Sequence, residues 1–152
     1  FAERLYKRLS GSPMPYDARL LFIKLLARVL GIHKLILLQF FTYIVNYLKP
    51  HQQDVTVILA ATAQAAHQLV PPDTIEPVLM AIANNFVVER VSAEVVCAGI
   101  NSIREICARC PLAMNETLLQ DLTEYKSHRD KGKYLITLFR TVNPELLKKR
   151  DR

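Results

Sequence analysis

The chain has 152 residues, 51% of them apolar and 22% charged. A domain of roughly 150 residues hides about 70% of the surface its unfolded chain exposes, so this length can bury a real core. Four Gly and eight Pro exclude a collagen-like or low-complexity chain. The net charge of +6 is unevenly spread. Residues 1–49 carry 8 basic and 2 acidic side chains, residues 50–125 carry 3 and 9, and residues 126–152 carry 9 and 3. This asymmetry predicts a negatively charged partner met mainly at the two ends. The run from Leu35 to Leu48 is broken by Gln39, Thr42 and Asn46. It falls short of the roughly 20 residues a bilayer needs, so no membrane partner is expected. With no basic-then-apolar leader, secretion is not expected either. The chain opens at Phe1 rather than Met and reads as cut from something longer.

The segments read as helix after helix, with almost no strand alternation. Arg4, Lys7 and Arg8 recur on one side of a short opening helix. Asp17 to Leu30 is apolar nearly all round, with Asp17, Lys24 and Arg28 on one narrow polar stripe. That pattern predicts a helix covered on most of its circumference. Gly31 is placed to end it as a left-handed C′ residue. A second helix is expected from about Leu35 to Lys49, stopping at Pro50. A third is expected from about Gln53 to Leu69, rich in small residues such as Ala60, Ala61 and Ala63 that let helices approach closely. Pro71-Pro72 ends it, because proline lacks the amide proton and clashes with the preceding turn.

Asp73 or Thr74 is placed to cap the next helix, with Glu76 completing a capping box and Pro77 in the first turn. That helix is expected to end near Val88. Ser92 starts a helix running to Cys110, where Pro111 blocks continuation. Asn115 caps another, with Glu116 and Asp121 towards its positive end and Lys126 near its negative end. Asn143-Pro144-Glu145 is a further start signal: cap, N1 proline, acidic first turn.

First helices of successive pairs start near Asp17, Gln53 and Ser92, and their partners near Leu35, Thr74 and Asn115. The spacing of about 36–41 residues lies near the low end of the roughly 40–47 of HEAT or armadillo units. The expected fold is all-α: a HEAT/armadillo-like α-solenoid segment of about three to four helical pairs, each burying a face against the next. A compact helical bundle is the alternative.

Catalytic chemistry finds little support. Cys107-Ala-Arg-Cys110 has CxxC spacing, but two cysteines are half a tetrahedral zinc site and no second pair follows. The pair sits at a helix C-terminus, where two small buried thiols are expected. An odd count of three cysteines fits a reducing compartment. His33, His51, His67 and His128 are scattered, and none joins a nucleophile and an acidic orienter in a known motif. No glycine-rich phosphate loop is present. Glu89, Glu94 and Glu105 are not grouped. No catalytic residue, cofactor, metal or small-molecule substrate is therefore expected.

What remains is surface. Lys126, Arg129, Lys131 and Lys133 form a glycine-interrupted basic segment, and Lys148, Lys149, Arg150 and Arg152 close the chain. With Arg4, Lys7 and Arg8, they are the candidates for contact with RNA or an acidic partner, because such groups neutralise phosphates without reading bases. Tyr125 and Tyr134 flank the first cluster and could stack on an exposed base or pack on helices. Asp54, Asp73, Glu76, Glu89 and Glu94 make an acidic middle suited to a basic protein or to solvent.

Longer strings are more specific. Pro50-His-Gln-Gln-Asp-Val-Thr56 and Ala63-Gln-Ala-Ala-His-Gln-Leu-Val-Pro-Pro72 are followed by Ala83-Asn-Asn-Phe-Val87. Then come Ala98-Gly-Ile-Asn-Ser-Ile-Arg-Glu-Ile-Cys-Ala-Arg-Cys-Pro-Leu-Ala-Met114 and Glu116-Thr-Leu-Leu-Gln-Asp-Leu-Thr-Glu-Tyr-Lys126. Together these resemble the SDA family, named for severe depolymerisation of actin, over most of residues 16–131 and again from Leu135 to Lys148. The resemblance implies helical repeats and a non-catalytic nuclear and nucleolar factor for the large ribosomal subunit. Such a factor would associate with pre-60S particles and be needed for their maturation and export. The actin phenotype reads as an indirect consequence.

Family members are several times longer and hold extra residues between Lys133 and Tyr134. The chain therefore carries a deletion there or joins two pieces across a missing loop near Gly132–Tyr134. On that reading residues 1–131 form the helical-repeat segment and residues 132–152 form C-terminal helices and a basic end. Stacked helical pairs also serve nuclear transport and trafficking adaptors, which would bind a cargo peptide or a GTPase instead. An enzyme would require a deep polar pocket with converging ionisable groups.

Overall fold

The computed structural model describes residues 1–88 and 91–123. These form α1 (Ala2–Gly11), α2 (Tyr16–His33), α3 (Leu38–Val45), α4 (Val55–Ala65), α5 (Pro72–Phe86), α6 (Ala93–Arg109) and α7 (Glu116–Thr123), with a 3-10 turn at Pro111–Ala113. No strand occurs among the described residues. Lys126 and Asn143 to Glu145, read as helix-end and helix-start signals, lie outside them.

The helices stack in two rows. α2 packs on α4 and α4 on α6, while α3 packs on α5 and α5 on α7. Cross-row contacts between α3 and α4 and between α5 and α6 close the layers, and α1 lies against α2. The described helices therefore make an α-solenoid of three pairs preceded by α1. The core lies between the rows, where Ile23, Leu26 and Leu30 of α2, Phe40 and Ile44 of α3, Ile58 and Leu59 of α4 and Phe86 of α5 are fully buried. No pair could hide these side chains alone.

Side chains lock each pair to the next by taking backbone groups that helix ends and loops leave open. Tyr16 Oη donates to the carbonyl of Gln53 at 2.6 Å, and Asn85 Nδ2 to that of Leu48 at 2.8 Å. His67 Nε2 donates to the carbonyl of Leu35 at 2.7 Å, and Arg109 Nη1 donates to that of Ala63. These partners lie 32–46 positions apart, about one repeat, so the bonds fix how successive pairs register.

Three local expectations change. Gly31 does not end α2: the helix continues to His33, and Lys34 takes the left-handed position at φ 55° and ψ 40°. Gly31 serves a close approach instead, since a Cβ there would lie 2.3 Å from the carbonyl oxygen of Gln64 on α4. The expected capping box at α5 does not form, because the helix starts at Pro72, after extended Pro71. Proline presets the first helical φ and has no amide to satisfy, which leaves Asp73, Thr74 and Glu76 already inside the helix. α2 is also less covered than its composition implies. Leu21 and Ile32 are 64% and 57% exposed and Leu25 is 44% exposed, because α1 and α4 flank the helix and leave its outer side open.

Other signals hold. Asn115 Oδ1 accepts from the backbone N–H of Leu118 at 2.7 Å, an N-cap bond at the start of α7. Ser92 is the N-cap residue of α6, without a side-chain cap bond.

Candidate partner-binding surfaces

Charge is sorted by the fold. On α1, Ala2 and Leu9 face the core, while Arg4, Lys7 and Arg8 are exposed. Their i, i+3 and i+4 spacing puts them on one side of the helix. On α2, Lys24 and Arg28 are exposed, also one turn apart. Arg19 is not free to join them. Its Nη1 donates to the Leu9 carbonyl at 2.8 Å and to the Tyr43 hydroxyl at 2.6 Å. The second row is the opposite. α3, α5 and α7 contain no Lys or Arg, and Asp73, Glu76 and Glu116 are exposed on them. The blocks of charge along the sequence thus become a cationic α1–α2 end and an acidic second row.

Of the predicted contact residues, Arg4, Lys7 and Arg8 are exposed on α1. Lys126, Arg129, Lys131, Lys133, Lys148, Lys149, Arg150 and Arg152, with Tyr125 and Tyr134, lie outside the described residues. So does Glu89. Asp54 is exposed at the start of α4 with left-handed backbone (φ 54°), and Glu94 is exposed on α6. Lys24 and Arg28 read from sequence as part of a narrow polar stripe, but not as contact residues beside an exposed apolar face. The signal was present: they share a helix face with Leu21, Leu25 and Ile32, at intervals of three and four.

The family model described as "SDA1, HEAT repeat" matches residues 1–129. Protein sda1 of Schizosaccharomyces pombe is 52% identical over the whole chain, the SDA1 homolog of Xenopus laevis 50% and that of Nematostella vectensis 47%. The chain belongs to the SDA1 family. It spans about a fifth of the length of these relatives, 22% of the S. pombe protein and 23% of the other two. The alignments run to 157–160 positions over the 152 residues, so these SDA1 proteins hold several positions that this chain lacks.

The titratable groups inside the SDA1 repeat are structural. Cys107 and Cys110 are buried and reduced. Burial, with some help from Cys110, pushes the Cys107 thiol up to about 12. Burial also raises Cys110, against a smaller pull from Arg109. Thiols held protonated make neither nucleophiles nor metal ligands at neutral pH. Cys110 Sγ instead donates to the carbonyl of His67 at 3.0 Å. His67 is itself buried. Since the Leu35 carbonyl only accepts, Nε2 carries the proton, and Nδ1 accepts from the N–H of Leu69 at 3.2 Å. The ring is neutral, and both its nitrogens are used.

Clefts between helices are open and sparsely ionisable. One of about 520 Å³ lies between α3 and α5, with Phe41, Val45, Pro77 and Val78 in its wall and Asp73 its sole carboxylate. One of about 360 Å³ lies between α2 and α4 and holds Lys24 and Arg28. A third, of about 400 Å³, holds His51 beside Pro50, Val91 and Val95. In the third, Ser92 lines the same cleft as His51, with no acidic side chain in the lining to orient the imidazole. Among the described residues no three His, Cys, Asp or Glu side chains group to hold a metal. No described helix is long and apolar enough to cross a membrane. Family and fold together fit a helical scaffold.

Proposed function

We propose that the chain is part of a non-catalytic scaffold in large ribosomal subunit biogenesis, working in the nucleus and nucleolus on pre-60S particles and needed for their maturation and export. The observation that carries this reading is membership of the SDA1 family along the whole chain, at about half identity to relatives from yeast to frog. The mechanism is surface complementarity. Stacked helices hold a cationic end towards ribosomal RNA, where exposed Arg4, Lys7 and Arg8 neutralise phosphates. The acidic row of α3, α5 and α7 meets basic ribosomal proteins or assembly factors through Asp73, Glu76 and Glu116. A reaction centre is not needed for this work, and cofactors have no role in it.

The test is co-sedimentation from nuclear extract at physiological salt, with the full-length protein. Charge reversal of Lys148, Lys149 and Arg150, and separately of Arg4, Lys7 and Arg8, is expected to weaken association with pre-60S material while helicity by circular dichroism stays intact. Unchanged sedimentation would remove the basic ends from the interface. A pull-down containing cargo peptides or a GTPase, without ribosomal RNA and large-subunit proteins, would favour a transport adaptor instead.

A further inference from the structure

We propose that the groove between α2 and α4 seats an acidic amphipathic helix from a partner protein. Leu25 lines the α2 side of this groove, and Leu21 and Ile32 continue the same exposed face of the helix beyond it, at intervals of four and seven, the three being between 44% and 64% exposed. Large apolar side chains in a row along a helix face water at a cost, and scattered single exposures would not line up this way. Across the groove Val57, Ala60 and Ala61 of α4 give a shallow apolar floor that lets a third helix come close. The cleft holds about 360 Å³. α4 has 11 residues, so the groove is about 16 Å long and matches a helix of about three turns.

Charge chooses the occupant. Lys24 and Arg28 are the ionisable residues lining this cleft, and no carboxylate lines it. A helix bearing leucine-like anchors on one face and Asp or Glu beside them satisfies both walls at once. RNA fits less well. Phosphates would pair with the two cations, but no aromatic ring lines the cleft to stack a base, and the apolar floor would stay uncovered. Residues 126–152, with 9 basic and 3 acidic side chains, carry the wrong sign. A two-fold contact with a second copy would set Lys24 and Arg28 against themselves. The chemistry of the groove is independent of which assembly the scaffold serves, so this proposal and the ribosomal reading fail separately.

The test is a display selection of random peptides about five turns long on the immobilised full-length protein, each enriched sequence then measured against wild type and the double variant Lys24→Glu, Arg28→Glu. Both side chains are exposed, so the variant is expected to keep its fold, checked by circular dichroism. The expected result is a set of peptides with apolar residues at i, i+4 and i+7 and flanking acids. Their affinity should fall at least tenfold on the double variant and on Leu25→Glu. It should fall comparably when peptide Glu is replaced by Gln. Enriched peptides that bind wild type and variant equally, or none enriched, would overturn the proposal. So would an oligouridylate that binds wild type and is lost on the same variant while no acidic peptide is selected. Concentration-dependent dimers abolished by Leu25→Glu would give the groove to a second copy and overturn it as well.

Discussion

The thiol of Cys110 donates to the carbonyl of His67 across 3.0 Å and 43 positions of sequence. Through that bond the end of α6 is held to the loop after α4. The His67 ring carries the link one repeat further, to Leu35 at the end of α2. One buried residue, through its backbone carbonyl and its ring, therefore joins three consecutive pairs along the first row.

Removing that ring should be costly. His67→Ala leaves the Leu35 carbonyl and the Leu69 N–H without partners and opens a cavity. The expected loss is about 2–4 kcal/mol. His67→Gln restores a donor and part of the volume and should lose about half as much or less. Urea unfolding of the three proteins side by side checks the ranking.

Gly31 gives a second test, with a sign opposite to helix propensity. Ala in place of Gly inside a helix normally stabilises by roughly 0.5–1 kcal/mol. At Gly31 the added Cβ meets the Gln64 carbonyl oxygen at 2.3 Å and its carbonyl carbon at 3.2 Å, both backbone atoms. α2 and α4 must move apart, so Gly31→Ala is expected to destabilise by about 1–3 kcal/mol. Gly11→Ala is the control, because nothing lies within 4 Å of the Cβ it would add. It should be neutral or slightly stabilising in the same urea titration.

A third prediction concerns alkali. Cys107 has an ordinary value of 9.0 and sits at about 12 in the folded chain. Below pH 9 the thiol is protonated folded or unfolded, and its contribution is fully present. Between pH 9 and 12 the unfolded chain releases the proton and the folded chain keeps it, so stability falls as pH rises. One proton limits this slope to about 1.4 kcal/mol per pH unit. Tyr43, raised from 10.0 to about 12 chiefly by burial, acts in the same sense at the upper end of that range. Melting temperatures from pH 8 to 11 should fall for wild type and fall less steeply for Cys107→Ala.

Much of this architecture is legible before any coordinates. Pro111 removes an amide donor, and that physics is local, so α6 closes just before it at Arg109; α3 and α4 are shorter than expected and end at Val45 and Ala65, five and six positions before Pro50 and Pro71. Asn115 caps α7 for an equally local reason. Illegible features depend on distances between helices. Gly31 looks like a cap because glycine favours left-handed turns, yet its role is set by Gln64, 33 positions on. Leu21 and Leu25 look like core because they are leucines, and only the flanking of α2 by α1 and α4 shows which side stays open. The surfaces divide the same way. Arg4, Lys7 and Arg8 are readable as one helical side, whereas the acidic second row exists only once alternate helices stack.

Arg19 supplies the last prediction. Its guanidinium bridges the end of α1 at Leu9 to the Tyr43 hydroxyl on α3. Tyr43 in turn donates to Tyr47 at 3.2 Å and meets the edge of Tyr6 with ring centroids 6.0 Å apart. α1 is thus fastened to the first pair by one forked cation and a group of tyrosines. Nη1 serves Leu9 and Tyr43 while Nη2 reaches the Ser12 carbonyl at 3.5 Å, and lysine keeps the charge but has one nitrogen where the planar fork has two. Arg19→Lys is expected to loosen α1 while leaving α4 to α6 intact. Amide hydrogen exchange should show protection falling about tenfold in residues 2–11, which corresponds to about 1.4 kcal/mol of local opening. Tyr43→Phe keeps the ring contact with Tyr6 and loses only the hydroxyl, so its effect should be smaller, about 1 kcal/mol. Equal loss of protection throughout α1 to α6 in Arg19→Lys would mean that α1 and the repeats open as one unit. Arg19 would then stabilise the whole stack rather than fasten its first helix.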